Sequence, residues 1–355
     1  MSGLKQLKTQ MNTVQTTLKI TTAMRMVAVS HLRKSHALLL DAYPYLDEIT
    51  RMLRRLVRQV STRTQLEDGT PKLPALIKGH TQEKKHLVLC ISSDDGFCGR
   101  FNQSVVAMTE HVLNYLQTQT DQKVSVVCFG QKGAEILKRH HADLKIHQVL
   151  NSVRQKQSVY ESAERMAMNV IDAFYRGDFD TCSVVYSEFK SAALQQIKVE
   201  QLVPFQIFHH ENKWDFLMHQ DEPDYVQRDV LGRKKVKKSD ARLFSAIGGA
   251  QMTSPLMDVE SDALLKESTR LPEAYDYLPS DEKMLEAVLY PFIEAHIYKI
   301  LLNTEASENA ARMLAMENAT QNASDMMKQF QKKYHRRRQE IVTKDLTEVV
   351  AGSMT

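Results

Sequence analysis

The hydrophobic positions fall into three regimes. In the first, Leu4, Leu7, Met11, Val14 and Leu18 are spaced alternately by three and four residues. That spacing lines one stripe of a helix and is the seam pattern of a coiled coil. The pattern then predicts a register shift through Ile20, Met24, Val27 and Ala28. A second amphipathic run, Leu46, Ile49, Leu53, Leu56, Val57 and Val60, follows Pro44, where a kink or joint is expected. No Gly or Pro lies between Leu4 and Tyr43, and none between Phe292 and Ala351. Both residues break helices. Uninterrupted rods of roughly 60 and 90 Å are therefore predicted at the two ends of the chain. A small domain spans only about 30 Å, so at least one rod must project beyond its own domain.

The second regime is the middle of the chain, where short apolar runs alternate with helical patterns. Strands are predicted at 86–92, 123–130, 144–150, 181–187 and 198–208, and helices at 102–116, 134–139 and 160–175. This alternation predicts an α/β fold: a Rossmann-like, mostly parallel βα domain set between the terminal rods. The third regime, from His209 to Leu271, is the least organised. It holds Trp214, the basic cluster Arg233–Lys238, Gly248-Gly249 and an acidic stretch near Asp258–Glu260. It reads as an insertion, a hairpin or surface loop. The expected organisation is an N-terminal shaft helix at 1–60, a central α/β domain at 61–208, the insertion at 209–271 and a C-terminal shaft helix at 272–355.

Composition narrows the class. The 355 residues are 43% hydrophobic, enough for a substantial core. No apolar run approaches the roughly 20 residues of a membrane span. The opening residues are polar, without the apolar region of a secretory signal or an Arg-rich transit segment. Cys90, Cys98, Cys128 and Cys182 show neither CxxC spacing nor a His partner pattern. They are expected to be reduced thiols in a cytosol-like compartment.

Charge is unevenly placed. Residues 1–40 contain Lys5, Lys8, Lys19, Arg25, Arg33 and Lys34 and no acidic residue. Near the other end, Lys332, Lys333, Arg336, Arg337 and Arg338 fall within seven residues. Both rods are thus basic where they project, which favours an acidic partner. The aromatic interleaving of a single-strand nucleic-acid binder is missing from the first 40 residues, so nucleic acid is not the expected partner.

Catalytic chemistry is not legible. Gly96 and Gly99 follow the first strand, but without GxGxxG or a Walker pattern they read as an ordinary βα turn. Asp94 and Asp95 are adjacent in a loop and need further ligands to hold a metal. His140-His141 and His209-His210 read as surface residues. No nucleophile-base arrangement stands out, so the expectation is no catalytic site, no cofactor and no metal.

Three motifs carry a family resemblance. They are Val14–Ala28 with Leu32–Ser35, the turn Ser93–Asn102, and Ala306–Thr320 continuing through Arg338-Gln339, Ile341, Thr343 and Leu346–Glu348. In this order the chain resembles the gamma subunit of F-type ATP synthase. It departs from the family pattern at Thr22, where Lys is common, and at Arg100, where a second Gly is usual. It departs also in a longer 61–85 segment and in the 209–271 insertion.

The resemblance implies an antiparallel coiled coil of the terminal helices. The coil runs up the axis of a hexamer of three alpha and three beta subunits. The central domain sits near the membrane c-ring and a small epsilon-type subunit. It implies a non-catalytic rotor shaft of a proton-translocating ATP synthase, coupling rotation to nucleotide affinity in the beta subunits. Arg338 and Gln339 match family positions that contact an acidic beta-subunit loop, with Thr343 nearby and Met24 in the motif of the other helix. Val349 and Val350 match the shaft tip. The expected location is peripheral, on the cytoplasmic face of a bacterial inner membrane. A processed organellar chain would instead sit on the matrix side of the mitochondrial inner membrane. The alternative reading is a structural coiled-coil adaptor, which should self-associate rather than pair its own two ends.

Overall fold

The computed structural model describes residues 2–63, 73–80, 84–119, 123–141, 146–150, 158–205 and 280–353. The expected insertion, 209–271, and the basic cluster within it lie outside the described residues. So do His209-His210 and the end of the strand expected at 198–208.

Two helices dominate: α1 (Ser2–Arg63) and, last in the chain, α6 (Asp281–Ser353). Their 62 and 73 residues correspond to roughly 90 and 110 Å. They pair antiparallel. Thr320 Oγ1 donates to Thr21 Oγ1 at 2.9 Å, Arg25 pairs with Glu317, and Leu39 and Tyr43 pack on Leu302. Each step down α1 is therefore a step up α6.

The expected register shift does not occur. Ile20 and Val27 are exposed, and the three–four spacing continues from Leu18 through Thr21, Arg25, Ala28 and Leu32. The seam keeps its period but changes chemistry, using a threonine pair and an ion pair where apolar residues were sought. Nor does Pro44 form a joint, because α1 runs through it. Pro44 is exposed, while Tyr43 and Leu46 beside it are buried and hold the helix to its course. α6 likewise runs through Pro291. In both places tertiary burial outweighs the single backbone hydrogen bond that proline removes.

Between the long helices lie α2 (Ala75–Lys78), β1 (Lys85–Ile91), α3 (Phe101–Gln119), β2 (Lys123–Phe129), α4 (Gln131–His140), β3 (Ile146–Leu150), α5 (Val159–Tyr175), β4 (Thr181–Phe189) and β5 (Gln195–Val203). The sheet order is β3-β2-β1-β4-β5, with only β5 antiparallel. β1 and β4 are central and covered on both faces, which is why they read as nearly continuous apolar runs. Leu87, Leu89 and Ile91 point to a core shared with α5 and the lower parts of α1 and α6. Val88 and Cys90 point to a second core under α3 and α4. Gly130, at φ 99°, makes the β2–α4 turn; a Cβ there would lie 2.3 Å from the Ser92 carbonyl oxygen.

The sheet is fastened directly to the shaft. Ser307 Oγ donates to the Ser187 carbonyl at 3.1 Å, and the Phe189 amide donates to Asn303 Oδ1 at 3.2 Å. Ala28, Leu32, Ala306 and Ala310 are buried with Phe189 and Ala192. These small residues let both helices approach the end of β4.

Candidate functional site

Above Ala28 the coil stands free of the sheet, and a cavity of about 640 Å³ marks the junction. Its walls come from α1 (Met24, Val27), the β1–α3 loop (Asp95, Phe97) and α6 (Glu305, Arg312). The loop is built to present Phe97. Phe97 and Gly99 both adopt the left-handed region, at φ 64° and 60°, which is unusual for an aromatic residue. Asn102 ties the loop down: its Oδ1 accepts from the Ser93 amide at 3.0 Å, and its Nδ2 donates to Ser93 Oγ at 2.7 Å. As a result Phe97 is 67% exposed beside Val27 at 56%. An isolated exposed apolar residue needs no explanation, but a group rimmed by charge marks an interaction surface.

The charged rim belongs to α6. Arg312 Nε donates to the Gly96 carbonyl at 3.4 Å, and Nη1 donates to Asn309 Oδ1 at 3.2 Å. Arg312 also pairs with Glu308 one turn below. Burial pushes the Glu308 carboxyl up from the ordinary range, and Arg312 opposes the shift. Burial also raises Glu305, against the pull of His31 and Lys34. Arg312, braced by the half-buried Glu308 on its own helix, thus ties the β1–α3 loop to the shaft.

Met24 is half-buried in the wall of this cavity. The structure does not bring it near Arg338, Gln339 or Thr343. Met24 is level with Glu317, and Arg338 lies 21 residues further along α6, roughly 30 Å at helical rise. Arg338, Gln339 and Thr343 are all exposed. Arg336 and Arg337 both reach Glu340, at 3.3 and 2.8 Å, whereas Arg338 makes no ion pair among the described residues. The coil register places Ser2 level with Gln339, so residues 340–353 extend beyond α1 as a lone helix, roughly 20 Å long. Val342, Leu346 and Val349 are exposed on it. The side chain of Val350 lies outside the described set.

Sequence reasoning missed Phe97, Glu308 and Arg312 as parts of a surface. The available signal was an aromatic residue between two turn glycines, together with an Arg four residues after a Glu on a helix. Among the described residues no group of three or more His, Cys, Asp or Glu side chains is arranged to hold a metal, and no helix is long and apolar enough to cross a membrane.

A long two-helix shaft with a sheet domain as its foot and a bare helical tip is the architecture these elements define. The sequence profile of the family described as ATP synthase matches residues 3–355, and the chain belongs to that family. It is 30% identical over 353 residues to the ATP synthase gamma chain of Paramagnetospirillum magneticum, covering 99% of both chains. It is also 30% identical over 354 residues to that of Paracoccus denitrificans. The fold is similar to a chain in the Euglena gracilis mitochondrial ATP synthase structure of OSCP, F1 and c-ring in rotational state 3, at TM-score 0.56 and 18% identity, covering 100% of this chain and 94% of that one. A chain in the central stalk and c-ring structure of Tetrahymena thermophila mitochondrial ATP synthase matches at TM-score 0.51 and 19% identity, covering 84% and 99%.

Proposed function

We propose that this chain is the central rotor shaft of a proton-translocating F-type ATP synthase and has no catalytic site of its own. One observation carries the reading. A sheet domain is locked to the base of an antiparallel coil that ends in a lone helix, in a chain that matches gamma chains along almost its whole length. The shaft turns within a hexamer of three alpha and three beta subunits. Its foot meets an epsilon-type subunit and the membrane c-ring, so membrane association is peripheral, through the complex. The side is the cytoplasmic face of a bacterial inner membrane, a placement supported by the bacterial sources of its relatives.

Two surfaces are available to the beta subunits. The lower one is the Met24, Val27 and Phe97 group with Arg312 behind it. The upper one is the basic end at Arg338 and Gln339, with Thr343 one turn on and Val349 and Val350 at the tip. The upper part of the coil has an acid-free α1 stretch, and on α6 from Glu317 onward seven basic residues face five acidic ones. This surface favours an acidic loop on the sleeve. Because exposed charges interact weakly, the shaft is held at preferred angles without a deep minimum.

Co-expression with alpha and beta subunits tests the proposal. A stoichiometric hexamer should co-purify with the chain and hydrolyse ATP. Self-association of the chain with no hexamer would instead support the coiled-coil adaptor.

A further inference from the structure

The cavity at the waist lies where open α/β sheets bind ligands. Ile91 ends β1, Phe129 ends β2, and both line the cavity. The strand order reverses at β1, with β2 and β3 on one side and β4 on the other. Ligands of such sheets sit outside the carboxyl ends of the strands, at a reversal of this kind. The volume of about 640 Å³ falls in the usual range of small-molecule sites, roughly 300–1,000 Å³.

The lining has two chemistries. Met24, Val27 and Phe97 supply an apolar wall, and Val27 and Phe97 are open to solvent. Asp95, Glu305 and Glu308 supply carboxylates, faced by the Arg312 guanidinium and the exposed His31 imidazole. Arg312 is committed to Glu308, to Asn309 and to the Gly96 carbonyl. Glu305 is different. It is half-buried, and among the described residues no cation pairs with it directly. His31 and Lys34 act on it only from exposed positions on α1, and burial still holds its carboxyl above the ordinary range. Its charge in turn helps to raise Glu308. A carboxylate drawn out of water without a paired counter-charge is costly, so the cavity favours an added positive charge.

We propose that this cavity binds a small organic cation, an ammonium or amidinium group carried on an apolar body. The cationic N–H donors meet the Glu305 carboxylate in a charge-assisted hydrogen bond. The body lies against the apolar wall, where the Phe97 ring adds attraction for the cation. A neutral molecule of the same shape leaves Glu305 unpaired, and an anion is repelled by it.

Binding is measured by titration calorimetry on the full chain by itself, so the outcome is independent of the shaft reading. The probe is para-phenylbenzamidine. The neutral para-phenylbenzamide and the anionic para-phenylbenzoate are controls of the same shape. The amidine should bind at a single site, and the amide at least about tenfold more weakly, the worth of one charge-assisted hydrogen bond. Glu305→Gln should weaken the amidine by about tenfold while thermal unfolding shows no loss of fold. Lys34→Gln removes a competing cation and should tighten the amidine by about twofold, a gain that misfolding cannot produce. The site is overturned by no binding of the amidine at millimolar concentration, or by an amide or benzoate that binds as tightly. It is overturned equally by an affinity indifferent to Glu305→Gln, or by Lys34→Gln that fails to tighten the amidine.

Discussion

Replacing Arg338 and Gln339 together by alanine tests the upper contact surface with little disturbance of the chain itself. Both side chains are exposed, and Arg338 takes part in no ion pair among the described residues. Removing them should change the stability of the free chain by no more than about 0.5 kcal/mol, the usual range for such surface positions. In the proposed complex the same guanidinium would meet an acidic partner. A hydrogen bond to a charged group is worth about 1.5–3 kcal/mol, and each 1.4 kcal/mol is about tenfold. If the contact forms at one rotor angle only, steady-state ATP hydrolysis should fall by about tenfold.

Arg336→Ala with Arg337→Ala is the internal control, because these two arginines already share Glu340. It removes more positive charge but should slow hydrolysis far less. Raising salt to 1 M shrinks the Debye length to about 3 Å and should narrow the gap between wild type and the Arg338/Gln339 variant. The assay is hydrolysis by purified, stoichiometric complex, with thermal unfolding of the free chain measured alongside. A rate equal to wild type removes these residues from the coupling contact. An equal loss in both double variants would show that net charge, not the position of Arg338, is what matters.

Thr21→Cys with Thr320→Cys should form a disulfide within one chain under mild oxidation, since the hydroxyl oxygens are 2.9 Å apart; bridges found only between chains would refute the antiparallel register. Leu56→Ala, at a fully buried core position, should destabilise the foot by about 2–5 kcal/mol in denaturant unfolding, and a loss below 1 kcal/mol would mean the base of the coil is loosely packed. Tyr160 has its folded-state pKa raised to about 12, so its contribution is present below pH 10 and is lost as pH rises through 12. Tyr160→Phe should therefore flatten the fall in stability across that window, and an unchanged slope would assign the fall to other groups. Replacing 209–271 by a short Gly/Ser linker should leave assembly and hydrolysis intact, and failure to assemble would show that the segment is structural.

The strands and the two rods were legible because burial leaves a simple mark on sequence. β1 and β4 are covered on both faces and so read as unbroken apolar runs. The seam at Leu4 to Leu18 was legible for the same reason. It was lost at Thr21 and Arg25, where the period persists but the interhelical contacts are polar. The exposed Ile20 and Val27 then pulled the reading onto the wrong stripe. Pro44 misled because a local rule was set against burial on either side of it. The start of β5, Gln195 to Lys198, is polar and only partly buried at the sheet edge. That leaves Ile197 as the lone apolar signal there, and the strand was placed late. Of the residues lining the cavity at the waist, Met24 was singled out in the sequence but Phe97 and Arg312 were not. Their roles depend on a loop and a helix 216 positions apart in the chain.

The way the foot is fastened has a mechanical consequence. Asn303 and Ser307 bind α6 to the end of β4, and Ile49 to Val60 bind α1 into the same core. Both strands of the rope are thus held in one block at the bottom, together with the described strands of the sheet. Twisting one helix about the other near the base must shear the sheet. Toward the top, the support falls from block to pair to lone helix. The molecule is a torsion bar clamped at one end and progressively softer toward the other. Torque applied at the foot reaches the waist near Met24 with little loss, and most of the elastic wind-up collects in the bare coil and the tip.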